Sequence, residues 1–325
     1  MSNAGHTDVR EKIAQHIRIS TNLPINSQHI IMTCGAAGGL NVVLKAILDQ
    51  KDEVIVFSPY FPEYDFYIDN HGGKAVHVKP NFDTFEPDLD MFEAYITRKT
   101  KAIILNSPNN PTGIIYSEST LKCIADILKE SESKFDRKIL VISDEPYTKL
   151  VYDNEFLPSI LNIFENSVIV NSFSKSLSLP GERIGYISVN PKIENIDLFI
   201  DALTFTNRTL GFVNAPSLFQ KVIADNLDVT VDMKSYKEKR DILYNELVNL
   251  GFSCIKPKGA FYLFPKAPIS NDIEFVKKAL TYNILIVPGT GFGCPGYFRL
   301  AYCVGMEIIS NSLPAFKALL NGLVK

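Results

Sequence analysis

Short apolar runs recur along the chain, separated by segments whose hydrophobic positions repeat at helical spacing. Alternation of this kind predicts an α/β fold, with a mostly parallel sheet covered by helices. Seven candidate strands stand out, at His29–Thr33, Glu53–Phe57, Lys74–Lys79, Lys101–Asn106, Lys138–Ser143, Val168–Asn171 and Arg183–Val189. Helix-sized intervals such as Ser117–Lys134 separate most of them. A first helix is expected from Asp8, with Glu11 three residues on as its capping-box partner and Val9, Ile13 and Ile17 along one face.

After about Leu227 the texture changes. A long helix runs through Leu250, and short strands are expected near Phe252–Ile255 and Ala260–Phe264. A helix near Asp272–Leu280, strands at Ile284–Val287 and Tyr297–Ala301, and a final helix from Met306 complete the pattern. This reads as a large domain over residues 1–227 and a smaller α+β domain over 228–325, with no internal repeat or low-complexity linker. Size agrees, since a 325-residue chain with 46% hydrophobic content buries a large core and favours two domains over one.

Composition then removes several function classes. Acidic and basic residues are interspersed and the net charge is -3, so nucleic acid is not an expected partner. The five cysteines form no C-x-x-C pair, and neither an apolar signal segment nor a run long enough to cross a bilayer is found. That points to a reduced, soluble, cytoplasmic protein with no membrane partner. G-x-S-x-G and H-E-x-x-H are absent and the five histidines are scattered, so serine-hydrolase and zinc chemistry lack support and no metal site is expected. G-T-G-F-G at Gly289–Gly293 follows an apolar strand, but its third glycine comes one position early for a dinucleotide turn and a strand follows it.

The segment richest in chemistry is S-F-S-K-S-L-S-L-P-G-E-R-I-G-Y, Ser172–Tyr186, which sets Lys175 among hydroxyls with Arg183 eight positions on. This suits a lysine that forms an imine with an aldehyde cofactor, beside groups able to hold that cofactor's phosphate. A single lysine in a serine-rich loop is otherwise most often a solvated surface residue. In open parallel sheets ligands collect outside the carboxyl ends of the strands, and the other conspicuous polar residues fall there. T-C-G-A-A-G-G-L at Thr33–Leu40 closes a strand and opens a helix, so the free amides of Gly35, Ala36 and Ala37 offer a phosphate seat, unless the small residues serve packing. N-S-P-N-N-P-T-G at Asn106–Gly113 is stiffened by Pro108 and Pro111; it is either an ordinary turn or one that fixes the Asn110 amide, and Asn110–Pro111 is a candidate cis bond. In S-D-E-P-Y, Asp144 follows the strand K-I-L-V-I. A carboxylate there needs a cation, either a structural arginine or a protonated ring nitrogen.

In their order along the chain, the glycine turn, S-P-Y-F-P-E-Y, N-N-P-T-G, D-E-P-Y, S-x-S-K, P-G-x-R-x-G and F-R-L resemble the fold-type I, class I/II aminotransferases, the group that includes aspartate aminotransferases. The resemblance implies pyridoxal 5′-phosphate as cofactor, carried by Lys175 as a Schiff base, with the same lysine moving the proton from the substrate Cα. It implies Asp144 as partner of the pyridine nitrogen, and Tyr147 and Asn110 as hydrogen-bond partners of the ring's phenolic oxygen. Phe61 would stack on the ring, with Tyr60 as the competing choice. Ser172, Ser174, Arg183 and the amides of the Gly35–Ala36–Ala37 turn would hold the phosphate, and Arg299, beside Asn110, the substrate α-carboxylate. The implied reaction is exchange of an amino group between an L-amino acid and a 2-oxo acid in a homodimer, aspartate with 2-oxoglutarate being one candidate pair. A carbon–sulfur β-lyase of the same fold is the alternative.

Two departures accompany the resemblance. Family members carry several dozen residues ahead of the point matching Gly5, including a small-residue loop over the substrate and a tyrosine that reaches the neighbouring subunit's phosphate. This chain begins M-S-N-A-G-H and shows neither in these residues. The lysine that some bacterial aspartate aminotransferases place in the phosphate turn is matched here by Ala37. Arg208 is either a reader of an acidic side chain or a solvated helix-end residue.

Overall fold

The computed structural model describes residues 2–323. Its large sheet contains β1 (Ile30–Thr33), β2 (Glu53–Phe57), β3 (Lys74–Val78), β4 (Thr100–Asn106), β5 (Leu140–Asp144), β6 (Ser167–Ser172) and β7 (Gly185–Val189). The order across it is β1-β7-β6-β5-β4-β2-β3. Strands β2 to β6 are joined by parallel pairings, while β7 runs antiparallel to both β6 and β1. The apolar runs are buried on both faces, because successive side chains of a strand point to opposite sides. Val54, Val56, Ala102, Ile104 and Ile142 enter one core with the helices Gly35–Ile47, Glu63–Asn70 and Ile196–Thr209. Their neighbours Ile55, Phe57, Ile103, Leu105 and Val141 enter another with the helices Leu89–Tyr95 and Glu118–Phe135.

This topology builds one edge for chemistry. Asn106, Asp144 and Ser172 are the last residues of β4, β5 and β6, and parallel strands end on the same side. The reversed course of β7 sets its first residue, Gly185, opposite Thr33 on one side and Ser172 on the other. Arg183, two residues ahead of β7, thereby arrives at the same edge.

The helix Gly35–Ile47 begins at this edge and lies very close to the sheet. A Cβ on Gly39 would stand 2.6 Å from Val170 Cγ1, and one on Gly185 would stand 2.5 Å from the Asn171 carbonyl oxygen. Gly39→Ala is therefore expected to lower stability by about 1–2 kcal/mol, the overlap outweighing the roughly 1 kcal/mol that alanine gains as a helix former. Urea unfolding midpoints measure this, and an unchanged midpoint would show that the helix shifts freely.

Several expected elements are corrected. The first helix is Thr7–Thr21 and has no side-chain cap. Glu11 makes no capping box, because its carboxylate accepts hydrogen bonds from Arg18 Nη2 and from the Ser27 backbone, both at 2.9 Å. Val9, Ile13 and Ile17 are buried together as expected. Asp144 is the last residue of β5 rather than the first beyond it, since its backbone still pairs with Val170. Arg183 lies ahead of β7, with φ 50.

A second sheet, β8 (Tyr262–Leu263), β9 (Val287–Pro288) and β10 (Phe298–Ala301), has β10 in the middle and antiparallel to both neighbours. Residues 252–255 form no strand, contrary to expectation. Phe252 instead packs edge-on against Phe275, Phe298 and Phe316, and one backbone bond, from Lys266 to the Ser253 carbonyl, does not make a ladder. The strand expected at Ile284–Val287 is displaced to Val287–Pro288, where pairing with Phe298 and Arg299 is available. The helices Met233–Asn249, Asp272–Leu280 and Met306–Asn321 close a hydrophobic core over this sheet, joined by Tyr147, Leu150 and Tyr152 from the earlier part of the chain. No helix among the described residues is long and apolar enough to cross a membrane.

Candidate active site

A cavity of about 290 Å³ opens at the chemical edge of the large sheet. Ala36, Ala37, Phe61, Asn110, Asp144, Tyr147, Ser172, Ser174, Lys175, Arg183 and Arg299 all border it, although they are spread over more than 260 positions, from 36 to 299. Gly35 does not border it. With φ at +71 it stands behind the wall, where a Cβ would lie 2.7 Å from Arg183 Nη2. The glycine turn therefore packs through Gly35 and Gly39, while Ala36 and Ala37 border the cavity.

Asp144 carries the sharpest electrostatic signal. Its Oδ2 accepts a hydrogen bond from Tyr64 Oη at 2.6 Å, while its Oδ1 is buried without a partner. No arginine or lysine pairs with it among the described residues, so the structural-cation alternative fails. Burial pushes the carboxyl up to about 6, against the pull of the Tyr64 hydrogen bond. Lys175 sits on the short helix Phe173–Ser176 with Nζ 5.3 Å from the centroid of the Phe261 ring and no carboxylate partner. Burial lowers its pKa; the thiol of Cys303 opposes this, and the positive charges of Arg183 and Arg299 add to it.

The remaining groups are held by one another and by their neighbours around the cavity. Asn110 has its backbone N–H bonded to Asn106 Oδ1 at 2.7 Å, and the Asn110–Pro111 bond is cis as expected, as are Ser58–Pro59 and Ser107–Pro108. Arg299 donates from Nη1 to Asn110 Oδ1 at 3.0 Å, and its guanidinium carbon lies 4.7 Å from the Tyr262 ring and 4.8 Å from the Phe292 ring. Tyr147 Oη is 3.0 Å from Tyr262 Oη, and burial followed by that neighbour raises its pKa well above the ordinary phenol value, so it stays protonated. Phe61 faces the cavity; Tyr60 is excluded, because its ring stacks on His77 and its hydroxyl donates to Asp65 at 2.7 Å. At the other end, Ser172, Ser174 and Arg183 meet the first turn of the helix Gly35–Ile47, which has no side-chain cap.

This geometry has close counterparts. The family model described as aminotransferase class I and II matches residues 1–309. The chain belongs to that family. A probable aspartate aminotransferase of Methanocaldococcus jannaschii is 33% identical over 330 residues, spanning 97% of this chain and 84% of the relative. A crystal structure of an amino transferase from Eubacterium rectale superposes with a TM-score of 0.97 at 40% identity, covering 100% of this chain and 82% of that one. An aspartate aminotransferase from Thermotoga maritima superposes with a TM-score of 0.89 at 31% identity, covering 99% and 84%.

The aminotransferase is thus a pyridoxal-phosphate-dependent transferase whose reaction is transamination. Its cavity fits that cofactor on the chain's own terms. An unpaired buried carboxylate oxygen awaits a ring N–H, an aromatic wall lies beside it, and hydroxyls, a guanidinium and uncapped helix amides converge where a phosphate would sit. Sequence reasoning missed Tyr64, Asn106, Tyr262, Phe261 and Phe292 in this aminotransferase. Asn106 ends a predicted strand and Tyr64 stands in the S-P-Y-F-P-E-Y run, so a signal existed for both. The other three face the cavity or Arg299 only because the smaller sheet is docked there.

Proposed function

We propose that Lys175 binds the cofactor aldehyde and moves the substrate Cα proton while Asp144, Arg183 and Arg299 fix the positions of cofactor and substrate. The orphaned Oδ1 of Asp144 carries this reading, because a buried carboxylate without a cation makes sense only when a protonated ring nitrogen completes it. When bound, pyridoxal phosphate supplies an electrophilic carbon for the amino group and a ring that absorbs the electrons left at Cα. Burial lowers the pKa of Lys175 Nζ, which favours the neutral amine that accepts that proton. Tyr64 holds Asp144 from the opposite oxygen, and Tyr147 and Asn110 donate toward the ring oxygen. Arg299, steadied between two rings and by Asn110, presents its fork to the α-carboxylate. Arg299→Lys is expected to raise the KM of amino acid and oxo acid on the order of 10- to 100-fold with a smaller change in kcat, since an ammonium makes no bidentate pair; equal KM values would remove the residue from substrate binding.

Three coarser readings accompany the first. A homodimer is supported by apolar side chains left outside the core on two helices that both pack on Gly35–Ile47: Phe66 at 66% exposure, Leu198 at 72% and Phe205 at 65%. A cytoplasmic setting is supported by five cysteines that remain free thiols. A division at residue 227 is supported by the separate core over the smaller sheet. The test of function is a half-reaction screen, in which L-amino acids discharge the visible band of the bound cofactor and 2-oxo acids restore it. Release of pyruvate from cystathionine without any acceptor would favour the carbon–sulfur lyase instead.

A further inference from the structure

We propose that this aminotransferase selects amino acids with uncharged, apolar or aromatic side chains, and monocarboxylic 2-oxo acids, through a wall of Tyr147 and Tyr262 that Phe261 and Tyr236 back from behind. The inference rests on the proposed function, and it follows from an inventory of charge. The cationic side chains bordering the cavity are Lys175, Arg183 and Arg299. The first is committed to the cofactor aldehyde, the second to the phosphate and the third to the α-carboxylate. Among the described residues none is left for a second carboxylate, and Arg208 is exposed at a helix end outside the cavity.

What remains around the reacting position is aromatic. The substrate Cα must approach Lys175 Nζ, which lies 5.3 Å over the Phe261 ring. Phe261 packs 4.7 Å from Tyr262 and 5.6 Å from Tyr147, and stacks on Tyr236 at 6.2 Å. A side chain placed here gains contact with ring faces. The nearby acid has the wrong sign for a dicarboxylate: Glu63, at the start of the helix Glu63–Asn70, makes no ion pair among the described residues and acts electrostatically on Tyr262 and Tyr67. An aspartate side chain would be desolvated beside rings without a cation.

The holoenzyme tests this directly. In single-turnover half-reactions, L-phenylalanine and L-leucine are expected to discharge the cofactor band with rate-over-affinity ratios on the order of 100-fold above those of L-aspartate and L-glutamate. Calorimetry should show 3-phenylpropionate binding more tightly than succinate, a readout independent of turnover. Tyr262→Leu is expected to raise KM for phenylalanine about tenfold more than KM for alanine, and Glu63→Gln to speed aspartate about three- to tenfold while leaving phenylalanine unchanged. Aspartate reacting as fast as phenylalanine, or succinate binding more tightly, overturns the selection alone, as would a cation supplied by a second subunit. Failure of every amino acid to discharge the band overturns the proposed function and the selection with it.

Discussion

Lys175→Ala is expected to lose the covalent link to the cofactor and at least about 10⁴-fold in turnover. The proposed role puts two separate tasks at one nitrogen: attack on the aldehyde, which would anchor the cofactor, and removal of the substrate Cα proton, which general base catalysis accelerates by about 10²- to 10⁴-fold on its own. Among the described residues no other amine borders the cavity to take over either task. The cationic neighbours Arg183 and Arg299 are guanidinium donors with no acceptor to offer as a base. Phosphate contacts at Ser172, Ser174 and Arg183 should still hold the variant's cofactor non-covalently, so binding measured by dialysis weakens less than turnover does. Borohydride reduction followed by mass spectrometry gives the decisive reading. A pyridoxyl label on residue 175 of the parent and none in the variant is the expected result; a label retained by the variant on another side chain would remove Lys175 from its role.

Asp144→Asn is expected to act in opposite directions on stability and on catalysis. In the cofactor-free protein burial lifts the carboxyl from 3.8 to about 6, so between those values the folded chain keeps a proton that the unfolded chain has released. Stability therefore falls as pH rises through that window, by about 3 kcal/mol in all, and the loss persists above it. Asparagine carries no charge and avoids the loss. Cofactor-stripped Asp144→Asn should consequently be more stable than the parent at pH 8 by up to about 3 kcal/mol and nearly equal to it near pH 4, as measured by urea unfolding at the two pH values. With cofactor added, the same variant should lose on the order of 10³-fold in turnover, because a neutral amide does not keep the ring nitrogen protonated. Equal stabilities at pH 8, or turnover close to the parent's, would contradict the assignment.

Much of this molecule is readable from its residues in order. β2, β4, β5 and β6 are continuous apolar runs, and their burial on both faces made their period and length sufficient to find them. The short strands of the smaller sheet were harder. Two-residue elements such as Tyr262–Leu263 and Val287–Pro288 have no period of their own, and the aromatic packing of Phe252 overrode the strand tendency of its neighbours. The helix at Thr7–Thr21 was found, but its capping was misread, because Glu11 had long-range partners that no local motif reveals.

The chemistry divides along the same line. Lys175, Asp144 and the glycine turn are conspicuous in the chain because strand ends and small-residue turns are local features, set by the few residues around them. Whether Asp144 faced a structural arginine or a ligand could not be settled locally, since its neighbours within 2.6 Å come from position 64 and its unpaired oxygen is a fact about everything that fails to reach it. Arg183 enters the site because β7 runs backwards between β1 and β6. Arg299 enters because it stands on the smaller sheet, where its guanidinium meets the rings of Tyr262 and Phe292. Sequence by itself determined which residues carry charge, hydroxyls and ring faces, and which segments form the sheet. Tertiary structure alone decided which of those charges stay unpaired, because pairing depends on distance in space and on desolvation, neither of which is written in the order of the residues.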